Sequence, residues 1–249
     1  MKRNVFLEIE YIGTNYFGFQ IQRKKTQKEI TIQSVLEEQL SSFFKQPIKI
    51  TASGRTDRGV HAKAHPLNFK IDTQIPLKNI KKPLNRRLPD DIKIKRVKEV
   101  PLDFHSRFMA KSKIYSYIIY NHKEPSVFWH NFSWFLPDQL DLGLMRAAAK
   151  KITGRRSFYC FAKDAKKYKS CKRDLKSLTI IKQKGFIYIN LKADGFLRQM
   201  ARNIVSFLVE AGDGGIEVGR IGKILSKESI FIKKPAPAQG LYLKKVNYK

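Results

Sequence analysis

The apolar residues of this chain change period repeatedly, and that rhythm restricts the folds open to it. Residues 4–11, NVFLEIEY, alternate with Val5, Leu7 and Ile9 on one face, the pattern of a half-buried strand. Gly13 and Thr14 mark a turn into an aromatic segment with Tyr16, Phe17 and Phe19. From Thr31 to Phe44 the period lengthens: Thr31 can cap a helix, and Ile32, Val35, Leu36, Leu40 and Phe43 form one apolar stripe. A short strand (IKITAS), a glycine-bounded loop (GRTDRG), a strand near PLNFKID, a polar helix over 77–87 and an alternating strand (IKIKRVKEV) complete the first half.

The second half repeats the alternation. SKIYSYIIY, residues 112–120, predicts a strand with Tyr115 and Tyr117 opposite Ile114 and Ile118. A helix over 138–152 ends at Gly154, and a cationic stretch leads to strands near LTIIKQK and FIYINLKA. A helix is predicted over 196–211, with Leu197, Met200, Ala201, Ile204 and Leu208 on one face and Gly212, Gly214 and Gly215 at its end. A short helix over 218–225 and a last strand, GLYLKKVNY, follow.

Interleaved strands and helices in two similar halves predict an α/β chain of the α+β type. The expected domains are 1–105 and 106–249, each a ferredoxin-like, split βαβ subdomain. Together they would form a mainly antiparallel sheet with helices on one face and a basic cleft between the halves. Element order alone leaves a doubly wound parallel sheet open.

Charge narrows the function. Lys plus Arg number 50 against 21 Asp plus Glu, a net +29. Such an excess repels itself unless a polyanion offsets it, and phosphate neutralisation by Lys and Arg gives sequence-independent affinity for nucleic acid. A lysine-rich bias of composition is the plainer alternative. With 42% hydrophobic residues the chain can bury a core. Two cysteines, Cys160 and Cys171, argue against a disulfide framework. The opening MKRNVFLEIEYIG does not read as a signal peptide, and no apolar run reaches the ~18 residues of a membrane span. A cytoplasmic protein with no membrane association is expected.

The sharpest local feature is SGRTDRGVHA, residues 53–62. Gly54 and Gly59 bracket Arg55, Thr56, Asp57 and Arg58. In an extended segment Arg55 and Asp57 share a side, so a guanidinium can pair with the carboxylate, favour its ionised form and set its direction. That describes an oriented nucleophile or base. It equally describes a polar turn with an Asp cap.

GRTDRGVHA resembles the characteristic loop of the tRNA pseudouridine synthase A family. The likeness runs along the chain in order: YIGTNYFGFQIQ, TIQSVLEEQL, NRRLPDDIKI, FHSRFMAKSKIYSYIIYN, DGFLRQMARNIVSFLVEAGDG and PAPAQGLYLKKVNY each resemble a family segment. The resemblance implies isomerisation of uridine to pseudouridine at nucleotides 38–40 of the tRNA anticodon stem-loop. It implies no cofactor and no metal, because no oxidation state changes, and it implies a homodimer. Asp57 stands at the catalytic Asp, acting as nucleophile or base toward the ribose or the uracil. A paired uridine must first be extruded. Tyr115 matches a Tyr that stacks on the target base and accepts a proton late in the reaction. Arg202 matches the Arg of the late helix, Arg55 that of the loop, and Leu241 an apolar residue near the base.

Further RNA contacts are expected from Arg58 and His61, from Arg198 one helical turn before Arg202, and from the loop residues Lys163, Lys166, Lys167, Tyr168, Lys169, Lys172 and Arg173, where cations surround an aromatic. A solvated helix edge and a solvated loop are the plain alternatives. Three positions depart from the family pattern: Ile12 where Asp is usual, Arg58 where a small residue is common, and Ala201 where Val is common. His61 and His65 lack the Glu of a zinc-protease helix, and GDGG lacks the Lys and Ser/Thr of a phosphate loop. The competing classes are a non-catalytic basic tRNA chaperone with this fold, and a metal-dependent nuclease, which a lone carboxylate disfavours.

Overall fold

The computed structural model describes residues 2–22, 29–226 and 234–248. The chain is mixed α/β with mostly antiparallel strand pairing, and it divides into two compact units, residues 1–111 with 243–249, and residues 112–242.

In the first unit β1 (Lys2–Tyr11) lies between β3 (His61–Asp72) and β4 (Ile92–Val100), antiparallel to both. Val5 faces Phe69 and Leu7 faces Leu67 across the ladder, all four buried. β10 (Leu241–Asn247) lies beside β3. Its end is held by aromatic packing, with the Tyr248 ring 5.2 Å from Phe104 and 6.2 Å from Phe6. The Tyr248 hydroxyl donates to Ser106 O at 2.9 Å.

Helix α1 (Ile32–Phe44) starts where the cap predicts. Thr31 Oγ1 accepts from Ser34 N at 3.1 Å and Ser34 Oγ accepts from Thr31 N at 3.0 Å, a reciprocal capping pair. Its buried stripe is Ile32, Leu36, Leu40 and Phe44. Phe44 rather than Phe43 completes it, and Phe43 packs edge-on against Phe44 at 4.8 Å. The strand expected over IKITAS shrinks to β2 (Thr51–Ala52). Ile48 N donates instead to Ser41 Oγ and Ile50 N to Glu37 Oε1, so side chains of α1 satisfy donors that a neighbouring strand would otherwise take. The polar helix is α2 (Lys81–Arg87), preceded by a single tight turn over Leu77–Asn79.

The second unit has strand order β5 (Ser112–Asn121), β9 (Phe186–Ala193), β8 (Lys172–Gln183), β7 (Gly154–Ser157), all antiparallel. The short β6 (Trp134–Leu136) runs parallel to β5. Lys184 (φ 48°) and Gly185 (φ 76°) make the two-residue turn of the β8–β9 hairpin, where positive φ at both positions matches the strand twist. Helix α3 (Leu142–Ile152) starts later than expected because Asp141, not Asp138, caps it, accepting from Gly143 N and Leu144 N. It packs on β8 and on α4 (Met200–Gly212). Expected from residue 196, α4 begins at Met200 because Gln199 adopts a left-handed backbone (φ 59°). A short α5 (Ile221–Ser226) follows. Tyr117, Phe158, Phe161 and Phe207 are the largest side chains of this core. Cys160 and Cys171 are buried and are not joined in a disulfide, and burial pushes the Cys160 thiol up to about 11. Among the described residues no helix is long and apolar enough to cross a membrane.

The capping pair is testable. Thr31→Ala should lower stability by about 1 kcal/mol, seen as a lower urea midpoint at unchanged m-value.

Candidate active site

The loop between β2 and β3 is fixed by its backbone and by what lies behind it. Ser53 N donates to Pro66 O at 2.9 Å and Val60 N to Asp57 O at 3.2 Å, closing the loop at both ends. Gly59 takes φ 78°, a conformation that favours glycine. Thr56 is buried, and its Oγ1 lies 2.8 Å from the Tyr11 hydroxyl, which is also 3.0 Å from His65 Nδ1. Thr56 points inward, so its neighbours in sequence turn outward: Arg55 and Arg58 are exposed and Asp57 is half-buried.

The turn that follows β1 clamps this loop. Phe19 N donates to Thr56 O at 3.1 Å, and Gly13 N donates to His61 Nδ1 at 3.0 Å. A Cβ on Gly13 would fall 2.1 Å from Val60 O, and one on Gly18 (φ 87°) 2.9 Å from Thr56 O. Both contacts are with backbone, so neither position admits a side chain without moving the loop. Tyr16 anchors the turn from outside, its hydroxyl donating to Asp91 Oδ1 at 2.5 Å while Ile12 N donates to Asp91 O at 2.9 Å.

His61, expected at the RNA, is 1% exposed, and its Nδ1 accepts from the Gly13 amide. Arg55, expected to orient Asp57, is exposed. The Arg58 guanidinium lies 4.2 Å above the centre of the Phe17 ring.

In the second unit Tyr115, on β5, is 8% exposed and packs edge-on against Phe196 at 4.9 Å. Arg202, on the first turn of α4, donates from Nε to Ala236 O at 2.6 Å and accepts at its carbonyl from Ala236 N. Leu241 is buried at the start of β10. Just before it, Gly240 lies so close to Tyr117 that a Cβ would be 2.5 Å from the ring, and the Tyr117 hydroxyl donates to Pro237 O at 2.8 Å.

The cationic loop is strapped to the residues before α4. Arg198 Nη1 bonds Asp164 Oδ2 at 2.6 Å, Arg198 N donates to the Tyr168 hydroxyl at 3.0 Å, and Lys163 N donates to Arg198 O at 2.9 Å. Asn203 Nδ2 donates to Phe161 O at 2.7 Å. Arg198 therefore does not share a helix flank with Arg202, as the pattern suggested; it precedes the helix. Arg173 Nη1 turns back onto Lys172 O at 2.6 Å. Lys163, Lys166, Lys167, Lys169 and Lys172 remain exposed. The residues that sequence reasoning missed are Tyr11, His65, Asp91 and Asp164, polar groups whose partners are distant in sequence; only the glycines of YIGTNYFGF hinted at the clamp.

The loop presents the half-buried Asp57 between two exposed arginines, Arg55 and Arg58, and is tied by backbone hydrogen bonds at Ser53, Thr56 and Val60. Comparison with known proteins identifies the family. A family model described as tRNA pseudouridine synthase matches residues 8–109 and 148–249. Over its full length the chain is 40% identical to a protein of Clostridium tetani named tRNA pseudouridine synthase A 2, with 100% of both chains covered. It is 36% identical over 250 residues to tRNA pseudouridine synthase A of Pseudothermotoga lettingae, with 100% of both chains covered. With the protein of that name from Clostridium kluyveri it shares 38% over 247 residues, 99% of this chain and 100% of the other. The chain belongs to the tRNA pseudouridine synthase family.

The clamp has a pH signature. Burial first, and then the bond to Asp91, raises the Tyr16 phenol above its ordinary value. The unfolded chain loses this proton near pH ~10 while the folded one keeps it, so the stabilisation is complete below that pH and is lost as pH rises beyond it. Tyr16→Phe should therefore lower stability at neutral pH by about 1 kcal/mol and lose less than wild type between about pH 9 and 11. Urea unfolding of both proteins across that range checks it; parallel curves would refute it.

Proposed function

We propose that this protein isomerises uridine to pseudouridine in transfer RNA, with Asp57 as the reacting carboxylate. The observation that carries the reading is the full-length relationship to proteins named tRNA pseudouridine synthase A, supported by the outward position of Asp57 on a clamped loop. In the reaction the C1′–N1 bond breaks and a C1′–C5 bond forms. N1 gains a proton and C5 loses one, so no electrons enter or leave and no cofactor is required.

Asp57 acts as nucleophile or base toward the ribose or the uracil. A stem uridine cannot be reached within its helix, so it is extruded from the stack, and Tyr115 then stacks on the uracil and accepts a proton late in the reaction. In the free protein the Tyr115 ring packs edge-on against Phe196. Arg202 acts on the same nucleotide from a guanidinium fixed through Nε, and Leu241 bounds the base. Arg55, exposed in the free protein, engages the RNA. The exposed lysines 163, 166, 167, 169 and 172 grip the phosphate backbone, on a loop that Arg198, Asp164 and Tyr168 hold in place. The strongly positive charge suits this partner. Nucleotides 38–40 of the anticodon stem-loop as targets, a homodimer as the assembly and the cytoplasm as the location are proposed from family resemblance.

Chemical mapping of pseudouridine on tRNA incubated with the protein tests the reading. Product should appear at nucleotides 38–40, and Asp57→Ala should abolish it while tRNA affinity stays within about tenfold, since phosphate contacts dominate binding. Tight binding without product by the wild type would identify a tRNA chaperone instead. Turnover retained in Asp57→Ala would remove Asp57 from the chemistry.

A further inference from the structure

We infer that Arg58 and Phe17 form a built phosphate position beside Asp57, which takes a phosphodiester of the RNA strand carrying the target nucleotide. The inference rests on the synthase reading and deepens it by naming a contact that positions the strand.

The Arg58 guanidinium carbon lies 4.2 Å from the Phe17 ring centre, so the cation lies over the phenyl ring. A guanidinium held by one face keeps its N–H donors at the edge, in the fork that matches two phosphate oxygens. Arg58 is exposed, and among the described residues its guanidinium has no hydrogen bond or ion pair. The donors are therefore both oriented and available.

The platform beneath it is fixed. Phe17 N donates to Ile30 O at 3.0 Å, and Gln22 Nε2 donates to Phe17 O at 3.3 Å. The next residue, Gly18, sits against the loop backbone; a Cβ there would be 2.9 Å from Thr56 O and 3.2 Å from Arg58 N. The backbones that carry Phe17 and Arg58 are thus packed against each other and keep the two side chains within reach. Arg58 directly follows Asp57 in a turn closed by Val60 N on Asp57 O. A carboxylate working on a nucleotide meets the repulsion of the flanking phosphates, and a cation at the adjacent position offsets it. A small side chain at position 58 would leave that phosphate without a partner.

The test uses the full-length protein and unmodified tRNA, with Arg58→Ala, Arg58→Lys, Phe17→Leu and the Arg58→Ala/Phe17→Leu double variant. Arg58→Ala should raise KM by about tenfold or more, change kcat at saturating tRNA by less than about threefold, and flatten the salt dependence of log K by about one unit. Arg58→Lys should keep the salt slope and recover only part of the KM, because an ammonium lacks the fork and stacks less well. Phe17→Leu should raise KM several-fold, with the double variant no worse than Arg58→Ala alone, as coupled residues behave. An unchanged salt slope in Arg58→Ala overturns the proposal, as do independent, multiplying effects of the two substitutions. The slope is read from binding alone. A wild type that binds tRNA but makes no pseudouridine would therefore fail the functional reading while still deciding the role of Arg58.

Discussion

The contact on which the rest depends is backbone against backbone: the turn after β1 lies directly on the loop that carries Asp57. Gly13 meets Val60 O and Gly18 meets Thr56 O at distances no side chain tolerates. Two hydrogen bonds, Phe19 N to Thr56 O and Gly13 N to His61 Nδ1, fasten the two segments. Such packing has no soft neighbour to give way, so a side chain at either glycine would displace the loop. The buried triplet of Tyr11, Thr56 and His65 adds polar fastening from beneath, where an unmatched group would cost about 1–3 kcal/mol.

Much of this was legible in the sequence and some was not, for physical reasons. Local rules held where local interactions decide the outcome. Thr31 caps α1 because its hydroxyl reaches the amide three residues on, and Tyr115 and Tyr117 share a strand face because strands alternate. Local rules failed where a distant partner intervened. Ile48 and Ile50 read as strand, yet their amides bond side chains of α1. Leu197 and Met200 share helical spacing, but the left-handed Gln199 lies between them, and Arg198 is engaged with Asp164 and Tyr168, 34 and 30 positions away. The loop motif marked Asp57 at once; the clamp that holds it joins residues some forty to fifty positions apart, which no window along the chain can reveal.

The excess of positive charge divides into two populations. Exposed lysines on the loop before β8 remain in water, where desolvation costs little and each can exchange counterions for phosphate. Arginines more often do structural duty: Arg198 bonds Asp164, Arg202 bonds Ala236 O, and Arg156 covers Lys151 O and Thr153 O at the end of α3. The planar, multidentate guanidinium suits fixed acceptors, whereas the flexible ammonium suits a backbone whose phosphates shift with sequence. Net charge alone therefore overstates the number of groups available to RNA.

Along the loop itself the division of labour alternates by residue. Ser53, Thr56 and Val60 are buried; Arg55 and Arg58 are exposed, and Asp57 is half-buried. The backbone bonds of the loop are made to the turn after β1 and to β3. Gly13, Gly18, Tyr11 and Thr56 cannot vary without moving the loop that carries the carboxylate. At position 58 the backbone is set by Gly18 and the turn, and the exposed arginine side chain lies over the Phe17 ring, on the side from which a ligand would approach.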